Sequence, residues 1–142
     1  MTVFGPYQAT IVEPHDGDTI FVDVVLWADR HQRHDADRDL GFDVHLVSGV
    51  GVKLERQSVR LKGCNAPELA TDAGKAALAY LETLVKAGDQ VTLVSYGWDK
   101  YGGRVDGTIR LADGRDLTEA MIAAGMAAPW DGQGPKPEPT TA

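Results

Sequence analysis

Three short segments carry the residues whose types and spacing could do chemistry. The segment from Val59 to Glu68 is predicted to begin as a hydrophobic strand that contains Arg60. The strand is expected to end before Pro67, which places Glu68 in a turn. An acidic turn, residues 16–19, lies upstream, and a second arginine follows a Lys-Tyr-Gly turn within residues 99–104. Carboxylates bind a hard divalent cation, and arginine forks bind phosphate oxygens. The three segments together predict metal-dependent hydrolysis of a phosphodiester.

The elements that must position these segments are mostly strands. Alternating apolar residues, β-branched residues and turn signals predict six strands and two helices. The strands are expected at residues 8–13, 18–27, 41–47, 52–61, 89–96 and 104–111, and the helices at residues 73–87 and 116–124. A turn at residues 14–17 joins the first two strands, and Thr71 or Asp72 and then Asp116 cap the helices. This order predicts an α+β, mainly β fold: a five-stranded barrel of the oligonucleotide-binding (OB) type with two or three helices.

Composition sets the domain organisation. The chain has 142 residues, enough for one domain with its own core. Residues 28–40 contain almost no apolar side chain and are interpreted as an inserted acidic loop. From residue 131 onward Gly, Pro, Lys, Glu and Thr predominate, which predicts a disordered tail over residues 131–142. The domain is therefore expected to span residues 1–130.

Charge and targeting signals narrow the function classes. The net charge is −7, which disfavours tight non-specific DNA binding, but residues 53–115 carry a net charge of +2 and contain both arginine segments. No apolar run is long enough for a transmembrane span, and no signal peptide is recognised. A cytoplasmic protein, or one released without a signal peptide, is expected. The single cysteine, Cys64, excludes an internal disulfide and is expected to pack as a small hydrophobe.

The order of the motifs resembles that of the thermonuclease (staphylococcal-nuclease-like) family. The resemblance rests on Asp-Gly-Asp-Thr at 16–19, Arg-Leu-x-Gly-x-x-Ala-Pro-Glu at 60–68, Asp-Lys-Tyr-Gly-Gly-Arg at 99–104 and Asp-Gly-Arg-Asp-Leu at 113–117. It covers roughly residues 9–130. Residues 39–44 also resemble a branch found in actinobacteria and their phages. The resemblance implies an OB-type barrel that hydrolyses DNA or RNA with Ca²⁺, with Mg²⁺ or Mn²⁺ as other possible metals.

The resemblance assigns the metal-binding residues. Asp18 matches a carboxylate that binds Ca²⁺ directly, and the backbone carbonyl of Ala66 would supply a further oxygen. Asp16 matches a position that orients a metal-bound water; equally, it is a turn acid that accepts a hydrogen bond from its own backbone. Asn65 stands where the family has a second metal-binding aspartate. Asparagine offers an oxygen without a charge, so weaker calcium binding is expected.

The resemblance also assigns catalytic and nucleotide-binding residues. Glu68 matches the glutamate that accepts a proton from the attacking water. Arg60 and Arg104 match the arginines that clamp the scissile phosphate. Lys100 and Tyr101 match positions that contact the nucleotide. The second glycine before Arg104 is either a bulge that keeps the guanidinium aimed inward or an insertion that displaces it.

Two functions remain open from the sequence. The first is a monomeric calcium-dependent nuclease that acts on DNA or RNA, preferably single-stranded, without a membrane partner. The second is a catalytically weak or inactive OB-type module that binds nucleic acid or a protein partner. The presence together of Asp18, Arg60, Glu68 and Arg104 favours the nuclease, because a binding module has no need of a glutamate beside the phosphate.

Overall fold

The computed structural model describes residues 3–26, 52–100 and 102–137. The predicted acidic loop at 28–40, the predicted strand at 41–47 and Tyr101 lie outside the described residues.

Five strands form a closed barrel. Pairing runs β1–β2–β3–β6–β5 and returns to β1. All pairs are antiparallel except β3 with β6, which is parallel. The barrel strands are β1 (Phe4–Asp16), β2 (Thr19–Leu26), β3 (Val52–Leu61), β5 (Gln90–Trp98) and β6 (Val105–Arg110), and a short antiparallel pair outside the barrel joins β4 (Cys64–Asn65) to β7 (Ala128–Pro129). The mainly β, five-stranded barrel predicted from the sequence is confirmed.

Alternation of apolar and polar side chains explains the barrel interior. In β2 every second residue, Ile20, Val22 and Val24, is fully buried. Leu93 in β5 and Ile109 in β6 are buried in the same way. Successive strand side chains point to opposite faces, so these residues fill the barrel and their neighbours face outward. The outward positions are where polar groups can meet a ligand.

The turn between β1 and β2 is shorter than the sequence predicts. Residues 14–17 are predicted to form it, but Pro14 pairs with Ile20 inside the ladder and Asp16 pairs with Thr19. The chain reverses only at Gly17 and Asp18. Irregular register between Pro14 and Asp16 accommodates the proline, because its missing N–H is tolerated where the ladder is already interrupted.

Two helices pack against the barrel, one on β1 and the other on β6. Helix α1 (Asp72–Leu84) begins after Thr71, whose Oγ1 accepts a hydrogen bond of 3.0 Å from the N–H of Gly74. It ends three residues before the predicted Ala87 because Val85 is already extended. Helix α2 (Leu117–Ala123) has the predicted cap, Asp116. Neither helix in the described part of the chain is long and apolar enough to cross a membrane.

The parallel pair of β3 and β6 closes the barrel. Val59, Arg60 and Leu61 pair with Val105, Asp106 and Gly107. A Cβ atom on Gly107 would lie 2.9 Å from Leu93 Cδ1 and 2.9 Å from the Val94 carbonyl, so only glycine fits this close approach. The pairing also places residue 60 beside residue 106 at the barrel surface.

Candidate functional site

The acidic turn sits tightly against the rest of the protein. Asp16 Oδ1 accepts a hydrogen bond of 3.1 Å from the N–H of Asp18, as a turn acid does. A Cβ atom on Gly17 would lie 2.8 Å from the Cβ atoms of both Ala66 and Ala77. The turn therefore packs tightly between helix α1 and the segment that follows β4. This packing fixes the position of Asp18.

Asp18 is the centre of the hydrogen bonds at this end of the barrel. The residue is buried, and its Oδ2 accepts a hydrogen bond of 2.9 Å from the N–H of Ala66. The Nη2 atom of Arg60 lies 3.5 Å from the same oxygen. Burial raises the pKa of the Asp18 carboxyl above its usual range, and the nearby Asp16 carboxylate raises it further, against the lowering effect of the Ala66 N–H and Arg60. A cation beside Asp16 and Asp18 would relieve this repulsion.

Arg60 is held from three directions. Its Nη2 lies 3.4 Å from Asn65 Oδ1, in addition to the contact with Asp18. Its guanidinium carbon lies 5.2 Å above the ring of Trp130, within the range of a cation–π interaction. The residue is only 8% exposed. Arg60 is therefore restrained before any ligand arrives.

Arg104, in the loop between β5 and β6, contacts the first residue of β2. Its Nη1 donates a hydrogen bond of 3.3 Å to Thr19 Oγ1, and its Nε lies 3.4 Å from Asp99 Oδ2. Gly102 and Gly103 both have positive φ, and the backbone N–H of Asp99 donates to the Arg104 carbonyl at 2.8 Å. The two glycines close a compact loop that leaves the Arg104 side chain against the Asp18–Thr19 turn.

The start of helix α1 fixes the backbone at Glu68. The carbonyl of Glu68 accepts hydrogen bonds from the N–H of Thr71 at 3.0 Å and from Thr71 Oγ1 at 2.6 Å. A Cβ atom on Gly74 would lie 1.8 Å from that carbonyl oxygen. The helix therefore packs directly against the Glu68 backbone, while the residue itself is exposed.

The C-terminal segment, residues 130–137, contacts the same side of the barrel. Lys100 Nζ donates a hydrogen bond of 2.9 Å to the Gly132 carbonyl, and it lies 5.5 Å above the Trp130 ring. Asn65 Nδ2 donates a hydrogen bond of 3.0 Å to the Pro137 carbonyl. The sequence predicts a disordered tail from residue 131, and the domain boundary at residue 130 stays a prediction. In the structure residues 131–137 lie against the predicted site.

A cavity of about 380 Å³ opens beside the two arginines. Its walls come from the end of β3, from β5 and β6, and from the C-terminal segment. The lining residues are Arg60, Lys62, Gly63, Tyr96, Trp98, Asp99, Lys100, Arg104, Asp106, Trp130, Asp131, Gly132, Gln133 and Lys136. Sites of this volume accommodate small molecules of the size of a nucleotide. Five of the lining side chains are Lys or Arg, so the cavity attracts anions.

The sequence analysis did not identify several of these lining residues. Lys62 Nζ lies 5.1 Å above the Tyr96 ring. Asp106 lies next to Asp99, and burial, together with the hydrogen bond and charge of Asp99, raises the pKa of Asp106 to about 6. Trp98 is 45% exposed. The sequence could have indicated Trp98, because it is a large apolar residue at an outward-facing strand position. The position of Asp106 in the cavity follows only from the register between β3 and β6.

The residues around Asp18 fit a hard cation. They supply two carboxylates, the amide oxygen of Asn65 and the backbone carbonyl of Ala66, which are the ligand types that Ca²⁺ prefers. In the described residues no group of three His, Cys, Asp or Glu side chains is arranged to hold a metal ion, so a cation here would depend on the amide and carbonyl oxygens as well as on the carboxylates. Burial raises the pKa of Cys64 to about 12, so its thiol stays protonated. The nearby donors are oxygen atoms, which Ca²⁺ prefers, rather than the nitrogen and thiolate ligands typical of zinc.

The chain is a five-stranded barrel with two arginines, an acidic turn and a cavity whose cationic side chains suit an anionic ligand. The comparison with known families agrees with this description. Residues 58–139 match the staphylococcal nuclease homologue (SNase) family, so the chain belongs to that family. No curated protein matches the sequence. Membership of the SNase family suggests a nuclease that acts on nucleic acid, and members of the family are typically calcium-dependent.

Proposed function

We propose that the protein is a calcium-dependent nuclease that hydrolyses phosphodiester bonds in DNA or RNA. The observation that supports this most strongly is the convergence of Arg60, from β3, and Arg104, from the loop before β6, on Asp18 and Thr19 through contacts of 3.5 and 3.3 Å. Two guanidinium groups next to a buried carboxylate are suited to a phosphate that bridges them and a cation. A structural pair of surface arginines would not need this convergence.

Each residue has a role in the proposed reaction. Arg60 and Arg104 bind the non-bridging oxygens of the scissile phosphate and stabilise the negative charge that grows on them. Glu68 accepts a proton from a water molecule while the water oxygen attacks phosphorus and the bond to the leaving oxygen breaks. Lys100 and Tyr101 contact the neighbouring nucleotide.

Asp18, with Asn65 and the Ala66 carbonyl, would hold the metal, and Asp16 would orient a water on it. Bound Ca²⁺ would supply Lewis-acid polarisation of the phosphate. Asp18 also positions Arg60 through the 3.5 Å contact. Mg²⁺ or Mn²⁺ would use the same oxygen atoms, although Mg²⁺ demands a stricter geometry.

Single-stranded nucleic acid is the proposed substrate. OB-type barrels bind single strands through a cationic groove and aromatic rings. The cavity provides both, with Lys62, Lys100 and Lys136 around Trp98 and Trp130. A base in a duplex would have to leave its stack to enter such a cavity. The protein is proposed to act as a monomer and to belong to the actinobacterial and phage branch of the family.

The test is hydrolysis of heat-denatured DNA by purified protein with Ca²⁺, with Mg²⁺, with Mn²⁺ and with a chelator. We expect cleavage with Ca²⁺, and we expect Glu68→Gln to lower its rate by about 10²–10⁴-fold, the usual contribution of a general base. Glu82→Gln is the matched control, because Glu82 is exposed on α1 away from the site.

Circular dichroism of both variants must match the wild type. Cleavage that survives in Glu68→Gln would contradict the role of Glu68. A folded wild-type protein that binds oligonucleotides but cleaves none with any metal would instead support the non-catalytic binding module.

A further inference from the structure

The cavity beside the arginines contains a carboxylate that phosphate binding does not explain. Asp106 lies between Val105 and Gly107, which are both buried, while Asp106 itself is half-buried and lines the cavity. Its parallel register with Arg60 places the two side chains on the same side of the sheet. A carboxylate at this position repels a phosphate, so its presence calls for a different ligand group.

The charged neighbours of Asp106 do not neutralise it by direct pairing. Asp99 is the nearest acid: it contacts Arg104 at 3.4 Å, and it shares a hydrogen bond with Asp106 only while one of the two carboxyl groups is protonated. Arg60 and Lys62 lower the pKa of Asp106 through their charges. Among the described residues no Lys or Arg forms a salt bridge with Asp106. At about pH 7.5 the carboxylate is ionised, because its pKa is about 6, and it can only accept hydrogen bonds.

An aromatic side chain lines the same cavity. Trp98 is one of two large hydrophobic side chains that are exposed among the described residues, and the other, Val3, is at the N-terminus. Exposed rings in a cationic groove are typical of surfaces on which nucleobases stack, and such stacking contributes about 1–3 kcal/mol per base. The ring of Trp98 and the carboxylate of Asp106 therefore offer a flat apolar face and a hydrogen-bond acceptor in one cavity.

We propose that Trp98 and Asp106 form a nucleobase subsite that selects guanine next to the phosphate held by Arg60 and Arg104. This inference rests on the proposed function and deepens it by naming the base that the site prefers. Trp98 stacks on the base, and Asp106 accepts hydrogen bonds from its edge.

The chemistry of the base edges explains the preference. Guanine presents two neighbouring donors, the ring N1–H and the exocyclic N2 amino group, which match the two oxygens of one carboxylate. Cytosine and adenine each place a ring nitrogen acceptor beside their amino group, so the second carboxylate oxygen would meet a lone pair. Thymine and uracil flank a single N–H with two carbonyls. Only guanine satisfies both oxygens of Asp106 without repulsion.

The test measures equilibrium binding without cleavage. Fluorescence anisotropy is recorded at about pH 7.5 in chelator with labelled oligothymidylates of about eight nucleotides, a length that an OB-type barrel covers. Each oligonucleotide carries one central guanine, cytosine, adenine or thymine. We expect the guanine oligonucleotide to bind about tenfold more tightly than the others, the usual discrimination of a bidentate contact.

Two variants and a control identify the residues responsible. Asp106→Asn keeps the size of the side chain but replaces one acceptor by a donor, so the guanine preference should fall to about twofold or less. Trp98→Ala should weaken binding of all four oligonucleotides by about tenfold or more. Asp113→Asn removes the same charge at an exposed position outside the cavity and should leave the preference unchanged.

The outcomes separate the inference from the proposed function. Equal affinity of the wild-type protein for the four oligonucleotides overturns the guanine subsite and leaves the nuclease proposal in place. A guanine preference that persists in Asp106→Asn overturns the role of Asp106. Absence of binding to every oligonucleotide in chelator overturns the subsite, whereas the nuclease proposal is tested separately by the hydrolysis assay with Ca²⁺.

Discussion

Two aspartate pairs lie at the same end of the barrel, and they differ in how they are built. Asp16 and Asp18 belong to one turn, whereas Asp99 and Asp106 come from the end of β5 and from β6. In each pair burial raises the pKa of one member, Asp18 or Asp106, and the neighbouring aspartate adds to the rise. Asp18 is held by a backbone N–H and by Arg60, while Asp106 makes no salt bridge within the described part of the chain.

The difference shows how similar groups acquire different tasks. The first pair has oxygen-bearing neighbours and is proposed to bind a cation. The second pair lies in a cavity with five cationic side chains, where a further metal ion would meet positive charge. The Asp106 carboxylate, which forms no salt bridge among the described residues, is instead proposed to accept hydrogen bonds from a ligand. On these two proposals, the surroundings of a carboxylate pair, and not its composition, decide between metal binding and recognition of a base.

The largest expected effect that tests this contrast comes from Asp18→Asn. Loss of the charge should lower the rate of cleavage by about 100-fold or more, because the metal loses its principal carboxylate. Ca²⁺ should also cease to raise the melting temperature, since a ligand stabilises only the state that binds it. Differential scanning calorimetry with and without Ca²⁺ measures this. Asp113→Asn is the control, and a Ca²⁺-dependent rise that survives in Asp18→Asn would show that Asp18 does not bind the metal.

Gly17→Ala tests whether tight packing fixes the turn that carries Asp16 and Asp18. The added methyl group meets Ala66 and Ala77 at 2.8 Å, so unfolding free energy should fall by about 2 kcal/mol. Urea denaturation measures the change. In an Ala77→Gly background one of the two clashes is absent, and the cost of Gly17→Ala should be smaller there. The same cost in both backgrounds would show that Ala77 does not restrict the turn.

Asn65→Asp adds a carboxylate beside Asp16 and Asp18 and so increases the difference between this pair and the pair of Asp99 and Asp106. A third carboxylate should tighten Ca²⁺ binding by about tenfold, at the expense of the hydrogen bond that Asn65 donates to Pro137. Isothermal titration calorimetry checks the affinity. Gln90→Glu adds the same charge at the opposite end of β5 and should not change it. Unchanged affinity in Asn65→Asp would mean that this position does not face the metal.

The smallest effect concerns pH and the second pair. Asp106 has a pKa of about 6 in the folded protein against an ordinary value of 3.8, so the folded state binds more protons between these values. Stability contributed by this group is therefore present at low pH and lost as pH rises from about 4 to about 6. Asp106→Asn should flatten that decline and raise the melting temperature by a few degrees at about pH 7.

Asp113→Asn is the control of opposite sign. Arg115 lowers the pKa of Asp113, so this replacement removes an interaction that is present at neutral pH and should not raise the melting temperature. A melting temperature of Asp106→Asn that follows the wild type at every pH would show that Asp99 and Asp106 do not repel each other.

The sequence predicted what local patterns control. Both helix caps depend on a side chain and a backbone N–H three residues later. Asp116 was predicted as a cap, and Thr71 was one of two candidates with Asp72. Alternation identified the strands of the barrel, although Pro14 was wrongly assigned to a turn and in fact lies in β1. The motif residues Asp18, Arg60 and Arg104 come together in the structure, while their catalytic roles stay predictions.

The sequence could not predict what depends on register between distant strands. Asp106 enters the cavity only because β6 pairs with β3 in parallel, and no local pattern specifies that alignment. The contacts of residues 131–137 were missed for a related reason. Their Gly- and Pro-rich composition is typical of disorder, but carbonyl groups at Gly132 and Pro137 find donors on Lys100 and Asn65.

The parallel pairing of β3 with β6 has a consequence for the response of the protein to heat. It joins only residues 59–61 to residues 105–107, and a parallel ladder is slightly less stable per residue than an antiparallel one. Opening of this short ladder would separate Arg60 from the strand that leads from Arg104 while the antiparallel strands stay paired. Since local opening requires less free energy than global unfolding, activity should disappear on warming before the circular dichroism of the barrel changes.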